Sequence, residues 1–392
     1  METQRSEIEL VTDKNPSSVT GDNHNNQQTL FFIIAKRSSK SLESILKKFH
    51  AGYFRISLSL GGQALLWKTL ADPSHDTNAI RHVLRMLLHP SAFMALWSLA
   101  FSTSFLLSLI YLLRCLFYFK LVKAEFLHHV GVNYLFVPWI SWLLLLQSAP
   151  FLEPRAIPYL VLWWVFAVPV VVLDVKIYGQ WFTKGKRFLT MVANPTSQLS
   201  VIGNLVGAQA AAHMGWKESA VFLFSLGMVH YLVLLVTLYQ RLSGGDCLPV
   251  MLRPVFFLFF AAPSAASLAW EAINGAFDVG SKMLFFLSLF LFTSLMCRPR
   301  LFRRSMRRFS VAWWAYSFPL NTLALASIKY AQEVKGEIPH ILMLLLLVLS
   351  VLVSISLIVF TALNTKMLLP DNDPIVCLPN ILPVRSASTT NA

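Results

Sequence analysis

Ten stretches of this chain are long and apolar enough to cross a lipid bilayer, and nothing else in the sequence restricts its fold as much. They lie near residues 50–71, 90–119, 131–150, 157–178, 195–214, 218–241, 249–274, 278–297, 308–330 and 338–363. A helical span takes about 20 predominantly apolar residues. Composition agrees: 56% of the 392 residues are hydrophobic and 13% are charged, against about a quarter charged in a soluble domain. The expected class is an all-α integral membrane protein of ten transmembrane helices. A net charge of +14 could point to nucleic acid, but the basic residues sit in short clusters between apolar runs. That is the pattern of cytoplasmic loops, so a nucleic-acid partner is rejected.

An even number of spans puts both termini on one side, and lysine and arginine choose the side. Lys36, Arg37, Lys40, Lys47 and Lys48 precede the first run; Lys184, Lys186 and Arg187 follow the fourth; Arg298, Arg300, Arg303, Arg304, Arg307 and Arg308 follow the eighth. The opposite side holds only Lys68, Arg81, Arg85, Arg155, Lys217, Lys282, Lys329 and Lys335. The positive-inside rule therefore predicts cytoplasmic termini. Cys115, Cys247, Cys297 and Cys377 all fall at cytoplasmic ends or tails, where thiols stay reduced. No cleavable signal peptide is expected, since the apolar run Leu30–Ala35 is too short for one. Leu42, Ile45, Leu46 and Phe49 repeat at helical spacing beside Lys40, Lys47 and Lys48, which reads as a basic amphipathic segment or as a cytoplasmic extension of the first span. The domain expectation is a cytoplasmic N-terminal tail over 1–49, a membrane domain over 50–363 and a cytoplasmic C-terminal tail over 364–392.

The spans alternate in kind. Even-numbered ones are greasy, as in KMLFFLSLFLFTSLMC and ILMLLLLVLSVLVSISLIVF. Odd-numbered ones carry small and polar residues and helix breakers: ISLSLGGQA, then NYLFVPW with Pro138, ANPTSQLSVIGNLVGAQAAA with Pro195, AAPSAASLAW with Pro263 and YSFPLNTLALAS with Pro319. Pro169 in the fourth span weakens the pattern. Irregular backbone persists at membrane depth only where protein covers it or water meets it. Five interrupted helices alternating with five greasy ones suggest an inner ring lining a path, an outer ring around it, and five helical hairpins in all. Small residues also let helices pack closely, and Gly203 with Gly207 could do only that. The only acid in the odd spans is Glu271. Hydroxyls and amides stand there instead: Ser57, Ser59, Ser197, Ser200, Asn204, Ser264, Ser267, Ser317, Asn321 and Thr322. Such a wall can replace part of an anion's hydration shell without trapping the ion, and Arg55 with the basic loops would attract anions to the mouth.

LDVKIYGQWF (173–182), ANPTSQLSVIGNLVGA (193–208), HYLVLLVTLYQRL (230–242), AAPSAASLAW (261–270) and AWWAYSFPL (312–320) resemble plant slow-type anion channels, which belong with the bacterial tellurite-resistance channel proteins and fungal malate transporters. The likeness runs from about residue 50 to 365. It implies five helical hairpins, an inner ring kinked by prolines, a homotrimer with one pore per subunit, and a pore closed by a phenylalanine just before the ninth-helix proline. That residue is Phe318 here. A lipid-facing or packing role is the alternative for this one aromatic among many. Phe136, two residues before Pro138, is a candidate second constriction, with ordinary packing the preferred reading. Asp174 and Lys176 read as an interfacial pair with Lys176 snorkelling, and His213 and His230 as packing residues.

The expected function is a plasma-membrane channel for chloride and nitrate, with the lipid bilayer as its surroundings. Arg55 stands where the family pattern has a small residue, and the tails are short. Both leave open a poorly conducting subunit that forms hetero-oligomers with a related channel; a malate or dicarboxylate carrier is a third reading. Ser38, Ser39 and Ser41, beside Arg37 and Lys40, are candidate sites for a protein kinase. No H-E-x-x-H, G-x-G-x-x-G, P-loop or Ser/His/acid set is present, so neither an enzyme nor a cofactor is expected.

Overall fold

The computed structural model describes residues 42–71, 90–183, 193–243, 250–307, 309–365 and 368. Contacts divide the chain into Met1–Lys47 and Lys48–Ala392. In the first unit the described residues, from 42 onward, are helical, with Lys47 Nζ 2.6 Å from Glu43 Oε1. Ser38, Ser39, Ser41, Cys247 and Cys377 lie outside the described residues.

Among the described residues the second unit is helical, without strands. Its long helices are α1 (Arg55–Ala71), α2 (Pro90–Phe117), α3 (Phe136–Ser148), α4 (Ile157–Thr183), α5 (Gln198–His213), α6 (Lys217–Ser243), α7 (Leu258–Asn274), α8 (Val279–Met296), α9 (Ser317–Glu333) and α10 (Glu337–Leu363). Six described segments are long and apolar enough to cross a membrane by themselves: α2, α4, α6, α8, α10 and the run Arg253–Asn274 that contains α7. A seventh is added if the pair Phe119–Leu127 and Gly131–Ser148, bent by 106°, is one span. At 17, 16 and 17 residues, α1, α5 and α9 are shorter.

The two kinds of sequence occupy two kinds of environment. Within their most apolar windows, 17% of α2 and 33% of α10 is buried, against 78% for the run containing α7. Phe105, Leu106, Leu116, Phe222, Val229, Phe290 and Leu352 on the greasy helices are exposed, whereas α5 is buried from Gln198 to Ala211. Small residues make that burial possible. A Cβ on Gly203 would stand 3.1 Å from Val170 Cγ1 of α4, and one on Gly207 3.2 Å from Leu223 Cδ1 of α6. The Gly203–Gly207 pair thus serves two different neighbours. Helix contacts run α1 to α3, α3 to α5, α5 to α7, α7 to α9, and α9 back to α1. Each even-numbered helix packs on the odd-numbered helices beside it.

The prolines do something other than what the sequence suggests. Every odd-numbered helix is entered through a short turn: Ala51–Phe54, Gly131–Tyr134, Pro195–Ser197, Val250–Phe257 and Val311–Tyr316. All but Gly131–Tyr134 are 3₁₀ turns. Pro138 and Pro319 are each the third residue of their α-helix. Pro195 opens its turn, with the Asn194 side chain accepting from Thr196 N–H at 2.9 Å. A helix takes a proline more readily in its first turn than at mid-length. These three therefore mark the change from lead-in to α-helix and do not kink a helix at mid-length. Pro263 alone of the four lies deeper, inside α7.

Candidate functional site

The entries to the odd-numbered helices meet around a very small cavity with an apolar lining. Arg55 and Leu58 come from α1, Tyr134 from the turn before α3 and Leu199 from α5. Val255 and Leu258 come from the entry to α7, and Trp314, Ala315 and Phe318 from the entry to α9. A helix N-terminus carries a partial positive charge of about half an elementary charge; for α1, α5 and α9 it belongs to the start of the lead-in turn, because the first N–H groups of those α-helices bond to carbonyls of the turns.

Phe318 is 1% exposed. A Cβ on Gly62 of α1 would lie 3.3 Å from Phe318 Cδ2 and 3.2 Å from Asn321 Nδ2, so a glycine here is what lets the ring lie against α1. Arg55 is 7% exposed. Its Nε–H donates to Gly52 O at 2.7 Å and its guanidinium carbon stands 5.0 Å from the Tyr134 ring centroid. Gly52 N–H donates in turn to His50 Nδ1 at 3.0 Å. Among the described residues Arg55 makes no ion pair; its head group is held by the Gly52 carbonyl and the Tyr134 ring. Glu271, the acid of the odd spans, is held by Lys329 Nζ at 2.9 Å and joins α7 to α9.

Most of the hydroxyls and amides expected to face a path bond elsewhere; Ser59 Oγ is buried without a partner. Ser57 donates to Phe54 O at 2.9 Å and lies 3.1 Å from Ser141 Oγ of α3. Ser200 pairs with Tyr178 OH of α4 at 2.7 Å, and Asn204 Nδ2 donates to Asp174 Oδ2 at 2.6 Å. Ser264 lies 2.5 Å from Ser288 Oγ of α8, and Ser267 donates to Ser281 O at 2.8 Å. Thr322 bonds back to Pro319 O at 2.9 Å, and Asn321 Nδ2 donates to Ser59 O at 2.9 Å. In an apolar interior a hydroxyl takes the nearest carbonyl or hydroxyl; all of these but Thr322 join one helix to another. Phe136 is not part of the cavity wall. Its Cδ1 lies 3.5 Å from where a Cβ on Gly203 would be.

Asp174 and Lys176 do not form the expected interfacial pair. Asp174 is 1% exposed and bonded to Asn204, while Lys176 reaches the ring and backbone oxygen of Phe126. His230 stacks on Tyr178 and its Nδ1 lies 2.7 Å from Leu226 O; His213 is exposed at the end of α5. Leu58, Tyr134, Leu199, Leu258 and Trp314 were not singled out in the sequence. Neither was Gln198, which is fully buried with both amide atoms unpaired. Nothing in their identities separates them from other packing residues.

The profile of the SLAC1 family, described as voltage-dependent anion channel, matches residues 48–362. The chain belongs to that family. It is 58% identical over 335 residues to the S-type anion channel SLAH1 of Arabidopsis thaliana, covering 86% of each chain. It is 45% identical over 293 residues to the guard cell S-type anion channel SLAC1 of the same plant, covering 74% of this chain and 51% of that one. The tellurite resistance protein TehA homolog of Haemophilus influenzae is 25% identical over 279 residues, 70% of this chain and 78% of that one. SLAC1-family proteins are membrane anion channels and not enzymes. Among the described residues no group of three His, Cys, Asp or Glu is placed to hold a metal.

Proposed function

We propose that this protein is a plasma-membrane channel for small monovalent anions, chloride and nitrate, whose path runs between α1, α3, α5, α7 and α9 and is closed by Phe318. The observation that carries the reading is the cavity where the entries to five helices, the Arg55 side chain and the Phe318 ring come together. Helix N-termini and a guanidinium hold a positive potential there without a fixed carboxylate to bind cations. Phe318 forms part of the apolar wall of that space and, on this reading, stops ions by bulk and by excluding water. Because the hydroxyls bond between helices, attraction on this reading comes from helix ends and Arg55 more than from a polar wall.

Ten spans are part of the same proposal. The lead-in turns lengthen the short helices: at 2.0 Å per 3₁₀ residue and 1.5 Å per α residue, α1, α5 and α9 with their entries reach about 30 Å or more, the thickness of the hydrocarbon core. The odd helices' contacts with one another support an inner ring, and the exposed apolar faces of the even ones support an outer ring toward lipid. Both termini are then cytoplasmic, the membrane domain covers 50–363, and the chain assembles as a homotrimer with one path per subunit.

Two-electrode voltage clamp on cells expressing the chain alone, in chloride and then nitrate, tests the reading beside Phe318→Ala. A quiet wild type and a conducting variant are expected. Silence of both at normal surface density overturns the gate and favours a subunit that acts only beside a related channel.

A further inference from the structure

Close to Phe318, polar side chains from three helices form one connected set. Asn321 Nδ2 of α9 donates to Ser59 O of α1 at 2.9 Å, and Asn321 Oδ1 accepts from Ser350 Oγ of α10 at 2.6 Å. Gln63 Oε1 of α1 lies 3.4 Å from Ser350 Oγ and 3.2 Å from Ser354 Oγ. Ser354 Oγ pairs with Ser317 Oγ of α9 at 2.8 Å. Gln63 and Ser354 are 3% exposed; Ser317, Asn321 and Ser350 are fully buried. Ser317 and Asn321 stand four residues apart, on one face of α9, as Ser350 and Ser354 do on α10. Phe318 stands about 100° around the helix from Ser317 and about 60° from Asn321, beside the bonded face.

We propose that this set is a clamp that fixes the rotation of α9 and thereby holds the Phe318 ring in the cavity, which makes the outer helix α10 a working part of the gate. The proposal rests on the reading of Phe318 as the gate. Its physical basis is the absence of competing water: each bond that breaks leaves a polar group unpaired in an apolar interior. Because α9 is attached at both Ser317 and Asn321, a turn of the helix that withdraws Phe318 must break bonds to α1 and α10 together. Leu352 and Ile355, elsewhere on α10, are exposed, and apolar faces of this kind place no comparable restriction on its orientation. Ser350, Ser354 and Gln63 are positioning residues on this proposal and touch no ion.

The test is Ser350→Ala with Ser354→Ala in the full chain, under the same voltage clamp, with surface density measured. Basal chloride current is expected to rise by about threefold or more, within the range that coupled substitutions produce. Ser350→Thr with Ser354→Thr, which keeps both hydroxyls, is expected to stay as quiet as wild type. In a Phe318→Ala background the alanine pair is expected to add nothing, a non-additivity that general loosening of the bundle would not give. Unchanged current from the alanine pair, with Phe318→Ala conducting, overturns the clamp and leaves the gate standing. An equal increase in the Phe318→Ala background also overturns it. Silence of Phe318→Ala removes the gate and the clamp together. Should the pair fail to reach the surface, Ser354→Ala alone is scored by the same criteria.

Discussion

Arg55 is the charged residue beside the cavity, and it is legible because a charge inside an apolar run needs a reason to be there. What it leans on was not legible. The Gly52 carbonyl, 2.7 Å from Nε, and the Tyr134 ring are brought to it by the entries to α1 and α3. In a Phe318→Ala background, Arg55→Gln is expected to lower anion conductance by about 2–10-fold at low salt and by much less at high salt, because added ions screen the same field. Current recorded over a series of chloride concentrations checks this. Phe318 was also readable, from the proline after it and the family likeness, whereas Trp314 and Tyr134 were not. Serines posed the opposite problem: residue type suggested a wetted wall, but Ser57, Ser264 and Ser267 face neighbouring helices. Which way a hydroxyl points depends on the nearest acceptor, and that acceptor is supplied by a different helix.

At the scale of elements, the apolar runs located the helices but not their entries. The run near 308–330 contains a 3₁₀ segment, Val311–Tyr316, before α9 begins at Ser317. Pro319 looked like a mid-span break because the run was read as one helix. The connection from α2 to α3 holds a further feature that composition hid. Glu125, on the short helix Phe119–Leu127, accepts from Ala51 N–H at 2.8 Å through Oε1, and its Oε2 lies 3.5 Å from Arg114 Nη1. One carboxylate thus caps the entry to α1 and neutralises a buried arginine of α2; the two side chains are 4% and 5% exposed. Glu125→Ala leaves both partners unmatched and is expected to destabilise the protein by about 3–5 kcal/mol. Lys47→Ala removes a pair whose side chains are 53% and 51% exposed, and should cost about 0.5 kcal/mol or less. Thermal unfolding in detergent should show a large loss of Tm for the first and almost none for the second.

For the whole molecule, the alternation of greasy and small-residue spans carried more than any single motif. It separated helices with exposed apolar faces from helices buried nearly all round, as α2 and α5 are. It could not tell which buried helix touches which, because contacts between chain-distant helices, such as α9 with α1, depend on how the whole set closes. The distribution of lysine and arginine predicts cytoplasmic termini. Epitope tags at the two ends are expected to bind antibody only after permeabilisation of the cell, and labelling of intact cells at either end would reverse the topology. The entry turns of the odd-numbered helices have one more consequence. All five helices start at the same cavity, so their dipoles point the same way and do not cancel. Such a frame is an electrical slope: on the proposed reading, an open path within it would rectify, filling with anions more readily from the Arg55 end than from the other.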